Sequence, residues 1–130
     1  MRLVRSWLPA IVWMAFIFFF SSRQRVEVSP DDFVNFVFFK TLHVVEYAIL
    51  FILYARALRG PRTLLTAFIL TIAYAVTDEV HQTFVPTREG KVRDVIIDAV
   101  GAILAWYFLI KLLPKGPKKL RALAKNLLIG

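Results

Sequence analysis

Apolar and polar residues are segregated along this chain in long blocks. Four apolar stretches stand out, at about Trp7–Phe20, Phe36–Ala57, Thr63–Phe84 and Val95–Leu113. A helix needs about 20 residues to cross a hydrocarbon core that is roughly 30 Å thick. The last three stretches reach that length when their polar outer turns lie at the interface, and the first reaches it when it begins near Leu3. Because the runs are too long and too continuously apolar for barrel strands, the pattern predicts four transmembrane α-helices.

Composition favours the same class of protein. The chain has 130 residues, of which 58% are hydrophobic, and its mean hydropathy is +0.63. A water-soluble domain of this size could not bury so much apolar surface. Cysteine is absent, which excludes disulfides, thiolate nucleophiles and zinc–thiolate sites. We therefore expect an all-α polytopic membrane domain over residues 1–113, followed by a basic cytoplasmic tail over residues 114–130.

The distribution of charge predicts the orientation of the spans. Basic residues precede the first span, fill the turn around Gly60-Pro61 and follow the fourth span, and no acid lies in these segments. They are Arg2, Arg5, Arg56, Arg59, Arg62, Lys111, Lys115, Lys118, Lys119, Arg121 and Lys125. All nine acids fall in the two opposite connections or in the span ends beside them. Since Lys/Arg-rich loops stay in the cytoplasm, both termini should be cytoplasmic.

Two further patterns concern the membrane surface. In the tail, Leu120, Leu123, Ala124 and Leu127 recur at helical spacing between basic residues, which is typical of an amphipathic helix lying on the inner leaflet. A frayed basic tail that only fixes topology is the alternative. The net charge of +8 indicates anionic membrane lipids as partners. The lack of aromatic–basic interleaving argues against nucleic acid as a partner. We expect the aromatic residues Trp7, Trp13, Trp106 and Tyr107 to face lipid or the interface.

Polar side chains collect where the spans should end. Asp78-Glu79-Val80-His81-Gln82 closes the third span, although an ionised side chain near the bilayer centre costs roughly 2.5–3.5 kcal/mol on insertion scales. Ser21 and Ser22 close the first span. Lys40, His43, Glu46 and Tyr47 lie early in the second, and Asp94, Asp98 and Gly101 open the fourth. The predicted topology places all of these residues in the outer leaflet, where they could form one site.

Helical spacing divides these residues into three faces. Lys40, His43 and Glu46 or Tyr47 share one face, and Asp78, His81 and Gln82 share another with Glu79 on its flank. Asp94, Asp98 and Gly101 form the third, where the glycine would allow close helix approach. The connection Val85-Pro86-Thr87-Arg88-Glu89-Gly90 is typical of a tight turn and should cap the cluster.

Several chemistries fit this constellation. The catalytic candidates are His81, Glu79, Asp78 and His43, with His81 as a general base beside a carboxylate. The ligand-binding candidates are Lys40, Glu46, Tyr47, Gln82, Arg88, Asp94 and Asp98, and Lys40 with Arg88 or Arg93 is suited to a phosphate. His43, His81 and Asp98 could hold a divalent metal with an open position for water. The carboxylates of Glu46, Asp78, Glu79 and Asp94 are alternative ligands beside the two histidines. Ser21 or Ser22 could be a nucleophile, or simply a helix cap. A set of structural ion pairs is the remaining alternative.

The order of these motifs resembles the VanZ-like family of small bacterial membrane proteins. The resemblance lies in Lys40-x-x-His43-x-x-Glu46-Tyr47, in Asp78-Glu79-x-His81-Gln82-x-Phe84-x-Pro86-x-Arg88 and in Asp94-x-x-x-Asp98-x-x-Gly101, and it covers about residues 1 to 110. Thr87 stands where Gly is more usual in the Pro-x-Arg turn. The family's namesake is associated with low-level resistance to teicoplanin, a glycopeptide that acts on cell-wall precursors outside the membrane.

The resemblance and the residues together predict a protein of the bacterial cytoplasmic membrane with an outward-facing polar site. We expect this site to act on, or recognise, a cell-envelope lipid or a glycopeptide-related ligand. An enzyme version would be a metal-dependent or acid/base hydrolase at the outer leaflet. A proton-coupled carrier, which with four spans would need to dimerise, and a purely structural ion-pair network are the alternatives.

Overall fold

The computed structural model describes residues 1–58 and 61–129, with side chains as far as residue 125. Within these residues every regular element is helical. The helices are α1 (Arg2–Ser21), α2 (Asp32–Ala57), α3 (Thr63–Gln82), α4 (Val92–Tyr107) and α5 (Lys118–Ile129). A π-helical turn (Phe108–Leu112) and a 3-10 turn (Leu113–Lys115) extend α4. Arg59 and Gly60 of the predicted basic turn, and the side chain of Leu127, lie outside the described residues.

Four helical segments are long and apolar enough to cross a membrane, which confirms the predicted all-α, four-span architecture. They are Arg2–Ser21, Asp32–Ala57, Thr63–Gln82 and Val92–Lys115. The second begins earlier than its apolar stretch because Asp31 caps it. The Asp31 Oδ1 atom accepts hydrogen bonds from the backbone N–H groups of Phe33 (2.8 Å) and Val34 (3.3 Å), two donors that the first helical turn leaves without partners.

The central helix is α2, which packs against α1, α3 and α4, and most extensively against α4. Residues later in α2 pair with residues later in α4, so these two helices are parallel. Helices α1 and α3 run in the opposite direction. With this alternation, the C-terminal ends of α1 and α3 lie beside the N-terminal halves of α2 and α4. The polar segments of all four helices therefore meet at one end of the bundle.

A glycine sets the close approach of α2 and α4. A Cβ atom built on Gly101 would overlap the backbone carbonyl oxygen of Val44. The helix backbones are in direct contact at this point, as is common where small residues line interfaces between membrane helices. The predicted role of Gly101 is thereby confirmed. Alanines at positions 102 and 105 continue the same buried stripe along α4.

The core contains large α2 side chains and small residues from the other helices. Tyr47, Leu50 and Phe51 are fully buried, while the apolar outer faces of all four spans remain exposed, as lipid-facing surfaces are. Tyr107 is exposed, as expected for a residue that faces lipid or the interface, whereas the tryptophans are less exposed than the sequence led us to expect. Trp7, Trp13 and Trp106 are partly buried and pack against the core. Trp13 does so because its indole N–H donates to the Glu46 carbonyl oxygen at 2.9 Å, a bond that membrane lipid could not supply.

The tail is helical, as its spacing predicts. Pro114, Gly116 and Pro117 separate the end of the fourth span from α5, and α5 contacts α2. The helix has basic residues on its exposed surface, whereas Ala124 is partly buried.

Candidate functional site

Two charged or polar pairs join α2 to α4 at the polar end of the bundle. Lys40 Nζ lies 2.6 Å from Asp94 Oδ1, and His43 Nδ1 lies 2.9 Å from Asp98 Oδ1. Lys40 and His43 are one helical turn apart on α2, and their partners are one turn apart on α4. Because the two helices are parallel, the spacing within each helix produces a ladder of pairs between them. Asp98 is completely buried.

Helix α3 brings two carboxylates and an amide into the interior. Asp78, Glu79 and Gln82 are 3–5% exposed. Glu79 Oε2 accepts a hydrogen bond from the Lys91 backbone N–H at 3.0 Å, which ties the end of α3 to the start of α4. The sequence prediction placed His81 on the inward face and Glu79 on the flank. The structure instead buries Glu79, while His81 is only partly buried and turns towards α1.

Asp78 belongs to a hydrogen-bond network that joins the first three helices. Its Oδ2 atom accepts from the Tyr47 hydroxyl (3.1 Å) and from Gln82 Nε2 (3.3 Å). Gln82 Nε2 also donates to Ser21 Oγ at 3.0 Å. All four side chains are buried, so these bonds satisfy polar groups that lipid and apolar side chains could not. Ser21 is thus an acceptor in a packed network.

Ser22 and His81 form a separate contact at the edge of the cluster. Ser22 Oγ lies 2.9 Å from His81 Nε2 and 2.7 Å from the Phe18 carbonyl oxygen, and the His81 ring stacks on the Phe18 ring at a centroid distance of 4.4 Å. A carbonyl only accepts, so the shorter bond uses the single hydroxyl proton of Ser22. His81 Nε2 then donates to Ser22. In this arrangement Ser22 caps α1, and His81 does not act on it as a base.

Three buried carboxylate oxygens have no hydrogen-bond partner among the described residues. They are Asp78 Oδ1, Glu79 Oε1 and Asp98 Oδ2. Among those residues, the group whose ligand atoms all lie within 4.8 Å of one another is His43, Glu79 and Asp98. Of the leading set His43, His81 and Asp98, the structure thus brings His43 and Asp98 together, with one of the alternative carboxylates that the sequence offered. Glu79 completes the group, and His81 lies against Ser22 instead.

A cavity of about 400 Å³ adjoins this cluster between the two connections at the polar end. Its walls mix five basic side chains, four carboxylates and two phenylalanines. The lining residues are Arg25, Val26, Glu27, Asp32, Asn35, Phe36, Phe39, Lys40, His43, Gln82, Thr87, Arg88, Glu89, Lys91, Arg93 and Asp94. The cavity volume lies within the range of small-molecule sites. Of the predicted ligand-binding residues, Lys40, Gln82, Arg88 and Asp94 line the cavity, whereas Glu46, Tyr47 and Asp98 lie behind it.

Glu46 is partly buried and remains close to the cluster. It interacts electrostatically with His43, Asp78, Asp98 and Arg88, so it contributes charge to the site without forming part of the cavity wall. At the rim, Lys91 Nζ lies 2.8 Å from Glu89 Oε2, and this contact holds the pKa of the exposed Glu89 carboxyl below its usual value.

A sequence profile of the VanZ/LLP1 family matches residues 6–113, which include most of the first and fourth spans, all of the second and third, and every residue of the cluster. The chain belongs to the VanZ/LLP1 family. The resemblance that the motifs predicted is thereby confirmed. No curated protein and no solved structure matches the chain.

In this VanZ/LLP1 chain, the two connections at the polar end are tied to each other. Arg88 Nε donates to the Arg23 carbonyl oxygen at 2.9 Å, and the Arg25 backbone N–H donates to Thr87 Oγ1 at 3.0 Å. Asn35 closes the first connection by accepting from the N–H groups of Val28 and Ser29. At least one N–H donor of the Arg88 guanidinium is therefore used to hold the cavity wall together.

Sequence reasoning missed Arg25, Asn35 and Lys91, which line the cavity. A signal for the two basic residues was present, because they lie on the side of the membrane that the topology leaves poor in Lys and Arg. Basic residues that depart from this bias need another reason to be there. For Asn35 the sequence carries no such signal, because its role depends on how the first connection folds back onto α2.

Thr87 lies where the sequence comparison led us to expect glycine, and the structure gives the physical consequence. The Arg88 N–H donates to the Val85 carbonyl oxygen at 3.2 Å, which closes a four-residue turn with Pro86 second and Thr87 third. Thr87 has a φ of 67°. A proline in the second position and a positive φ in the third are the features of a type II turn, which favours Gly at the third position.

Proposed function

We propose that this protein recognises the phosphate-bearing headgroup of an envelope lipid from the outer side of the bacterial cytoplasmic membrane. Both termini would be cytoplasmic. The basic segments at the opposite end of the bundle support this orientation, since Lys and Arg are retained inside. The polar end then faces the outer leaflet, where the headgroups of envelope lipids lie.

The observation that carries this proposal is the cavity of about 400 Å³ at the polar end, with its cationic and aromatic walls. Arg and Lys are the side chains suited to phosphate oxygens. The carboxylates of the same wall, among them Glu27 and Asp32, suit the hydroxyl or amine groups of a headgroup. A cavity at the ends of membrane-spanning helices is within reach of a lipid whose acyl chains remain in the bilayer.

The cations at the cavity are held in different ways. Lys40 pairs with Asp94, and Arg88 is bonded to backbone carbonyls of the first connection. The Arg93 guanidinium is more available for a ligand, because its side chain is 57% exposed and its contact with Asp94 is longer, at 3.6 Å. Arg93 and Lys40 both lie over the Phe36 ring, at 5.1 and 5.8 Å from its centroid. In this proposal Lys40 and Arg88 supply fixed positive charge, and Arg93 closes onto the phosphate.

Calorimetric titration of the detergent-purified protein would test this function. The probes are dioctanoylphosphatidylglycerol, the matched dioctanoylglycerol that lacks phosphate, inorganic phosphate, and teicoplanin. We expect the phosphate-bearing lipid to bind at least tenfold more tightly than the other three. Arg93→Gln should weaken that binding about tenfold, because a hydrogen bond to a charged group contributes about 1.5–3 kcal/mol.

Lys111→Gln is the matched control, since Lys111 is exposed on the extension of α4, at the opposite end from the cavity. It should leave the affinity for the lipid unchanged. Equal affinity for the lipids with and without phosphate would contradict the proposal. Tighter binding of teicoplanin than of either lipid would replace it with a glycopeptide-binding function, and tighter binding of inorganic phosphate would replace the lipid with a free anion.

A further inference from the structure

We propose that His43, Glu79 and Asp98 bind one divalent transition-metal ion beneath the cavity. These residues come from α2, α3 and α4, and their ligand atoms already lie within 4.8 Å of one another. Protein ligands lie about 2.0–2.2 Å from such an ion, so small side-chain movements would complete the coordination. This inference goes beyond headgroup recognition and does not depend on it.

The two carboxylates each use one oxygen inside the protein and leave the other without a partner. Glu79 is 5% exposed; its Oε2 atom accepts from the Lys91 N–H, and its Oε1 atom is unpartnered. Asp98 is 0% exposed; its Oδ1 atom contacts His43, and its Oδ2 atom is unpartnered. Buried ionised oxygens of this kind are strongly unfavourable unless a cation or a donor compensates them.

The nearby lysine and arginine side chains do not supply that compensation. Lys40 is paired with Asp94 at 2.6 Å, and neither lysine nor arginine hydrogen-bonds to the unpartnered oxygen of Glu79 or Asp98 within the described part of the chain. A divalent ion between the two oxygens and the His43 imidazole would neutralise both carboxylates at once. His43 Nδ1 lies 2.9 Å from Asp98 Oδ1, so the imidazole already lies beside the carboxylate with which it would share the ion.

The ligand set indicates the class of ion. One imidazole nitrogen and two carboxylate oxygens suit Zn²⁺ or Mn²⁺ better than a soft ion, because the chain has no thiolate. Three protein ligands leave at least one coordination position open, as in metal sites that bind water or substrate. Since His43 also lines the cavity, an ion held at this group would lie at the cavity floor.

The test is metal binding by the detergent-purified full chain after it has been stripped with EDTA. Calorimetric titration with ZnCl₂ and MnCl₂, together with elemental analysis after dialysis, should give about one ion per chain. Glu79→Gln and Asp98→Asn each remove a ligand charge while preserving shape, and each should weaken the affinity at least roughly a hundredfold. Glu46→Gln is the matched control, because it removes a nearby charge without removing a ligand atom, and it should weaken affinity less than tenfold.

His81→Ala separates this ligand set from the one that includes His81, and it should retain the ion. Thermal unfolding provides a second measurement. The ion should raise the midpoint of the parent but not of Glu79→Gln or Asp98→Asn, and in EDTA these two variants should be at least as stable as the parent because they lack an uncompensated buried charge.

Binding of zinc or manganese by none of the folded proteins, parent included, would overturn the proposal. So would loss of the ion in His81→Ala to the same degree as in Glu79→Gln, or lower stability of both amide variants than of the parent in EDTA. Lipid titration of the stripped parent is independent of these results. The headgroup proposal and the metal proposal can therefore fail separately.

Discussion

At the scale of single residues, Thr87 has a backbone conformation that its side chain disfavours. A φ of 67° lies in the left-handed region, where a β-branched residue is uncommon and costs about 1–3 kcal/mol. The Thr87 hydroxyl offsets part of this cost by accepting a hydrogen bond from the Arg25 N–H. Thr87 therefore has a strained backbone but accepts a hydrogen bond that joins the two connections around the cavity.

Substitutions at this position should separate the strain from the hydrogen bond. Thr87→Asn should stabilise the protein by about 1 kcal/mol, because asparagine tolerates a positive φ and keeps a side-chain acceptor. Thr87→Val keeps the branching, loses the hydroxyl and should destabilise by about 1 kcal/mol. Reversible unfolding in mixed micelles with SDS measures both. A valine variant as stable as the asparagine variant would show that neither effect operates at this turn.

At the scale of helices, α2 and α4 are joined by a close ion pair in addition to the glycine contact. Lys40 and Asp94 have side chains that are 18% and 10% exposed, so the pair is largely removed from water. Removing one partner leaves a charge in a poorly solvated place, whereas removing both leaves none. The cost of the two changes should therefore not be additive.

A double-mutant cycle of Lys40→Met and Asp94→Asn measures this interaction. Each single change should destabilise the protein, and the coupling free energy should be about 1–2 kcal/mol. The rim pair of Lys91 and Glu89 is the control, because both side chains are exposed and solvent screens their attraction. Its coupling should be too small to measure. Additive changes at Lys40 and Asp94 would mean that helix packing alone, without the ion pair, holds α2 against α4.

At the scale of the whole molecule, the two ends of the bundle differ in charge. One end has basic residues and no acids in its connecting segments, and the other has all nine acids with the cavity among them. The helices between them expose large apolar side chains on their outer surfaces. This asymmetry supports one fixed orientation in the membrane, because the transfer of many cations across the bilayer is unfavourable.

The absence of cysteine allows a direct test of that orientation. Glu89→Cys places a thiol at the exposed rim of the cavity, and Lys119→Cys places one on the exposed surface of α5. In intact cells, a membrane-impermeant maleimide should label the cysteine at position 89 and leave that at position 119 unlabelled until the cells are lysed. The reverse pattern would place the cavity on the cytoplasmic side and would remove the basis for recognition of outer-leaflet lipids.

The class of fold and the general place of the site could be predicted from the amino-acid sequence. The lengths of the apolar blocks gave four spans, since the thickness of a bilayer sets the number of residues that a helix needs. Charged residues at span ends marked one end of the bundle, because lipid makes their burial unfavourable without partners. Gly101 also indicated a close helix approach in the fourth span, and the motif spacing indicated the family.

Which side chains face one another could not be predicted in this way and follows from the packing of the helices. Successive residues of a helix are about 100° apart, so Glu79 and His81 lie on opposite flanks of the face that Asp78 and Gln82 share. Either flank of α3 could have faced the cluster. Packing placed α4 beside Glu79 and α1 beside His81, and it left the oxygens of Glu79 and Asp98 unpartnered. Spacing fixes angles within one helix, but the rotation of a helix against its neighbours follows from contacts between residues distant in sequence.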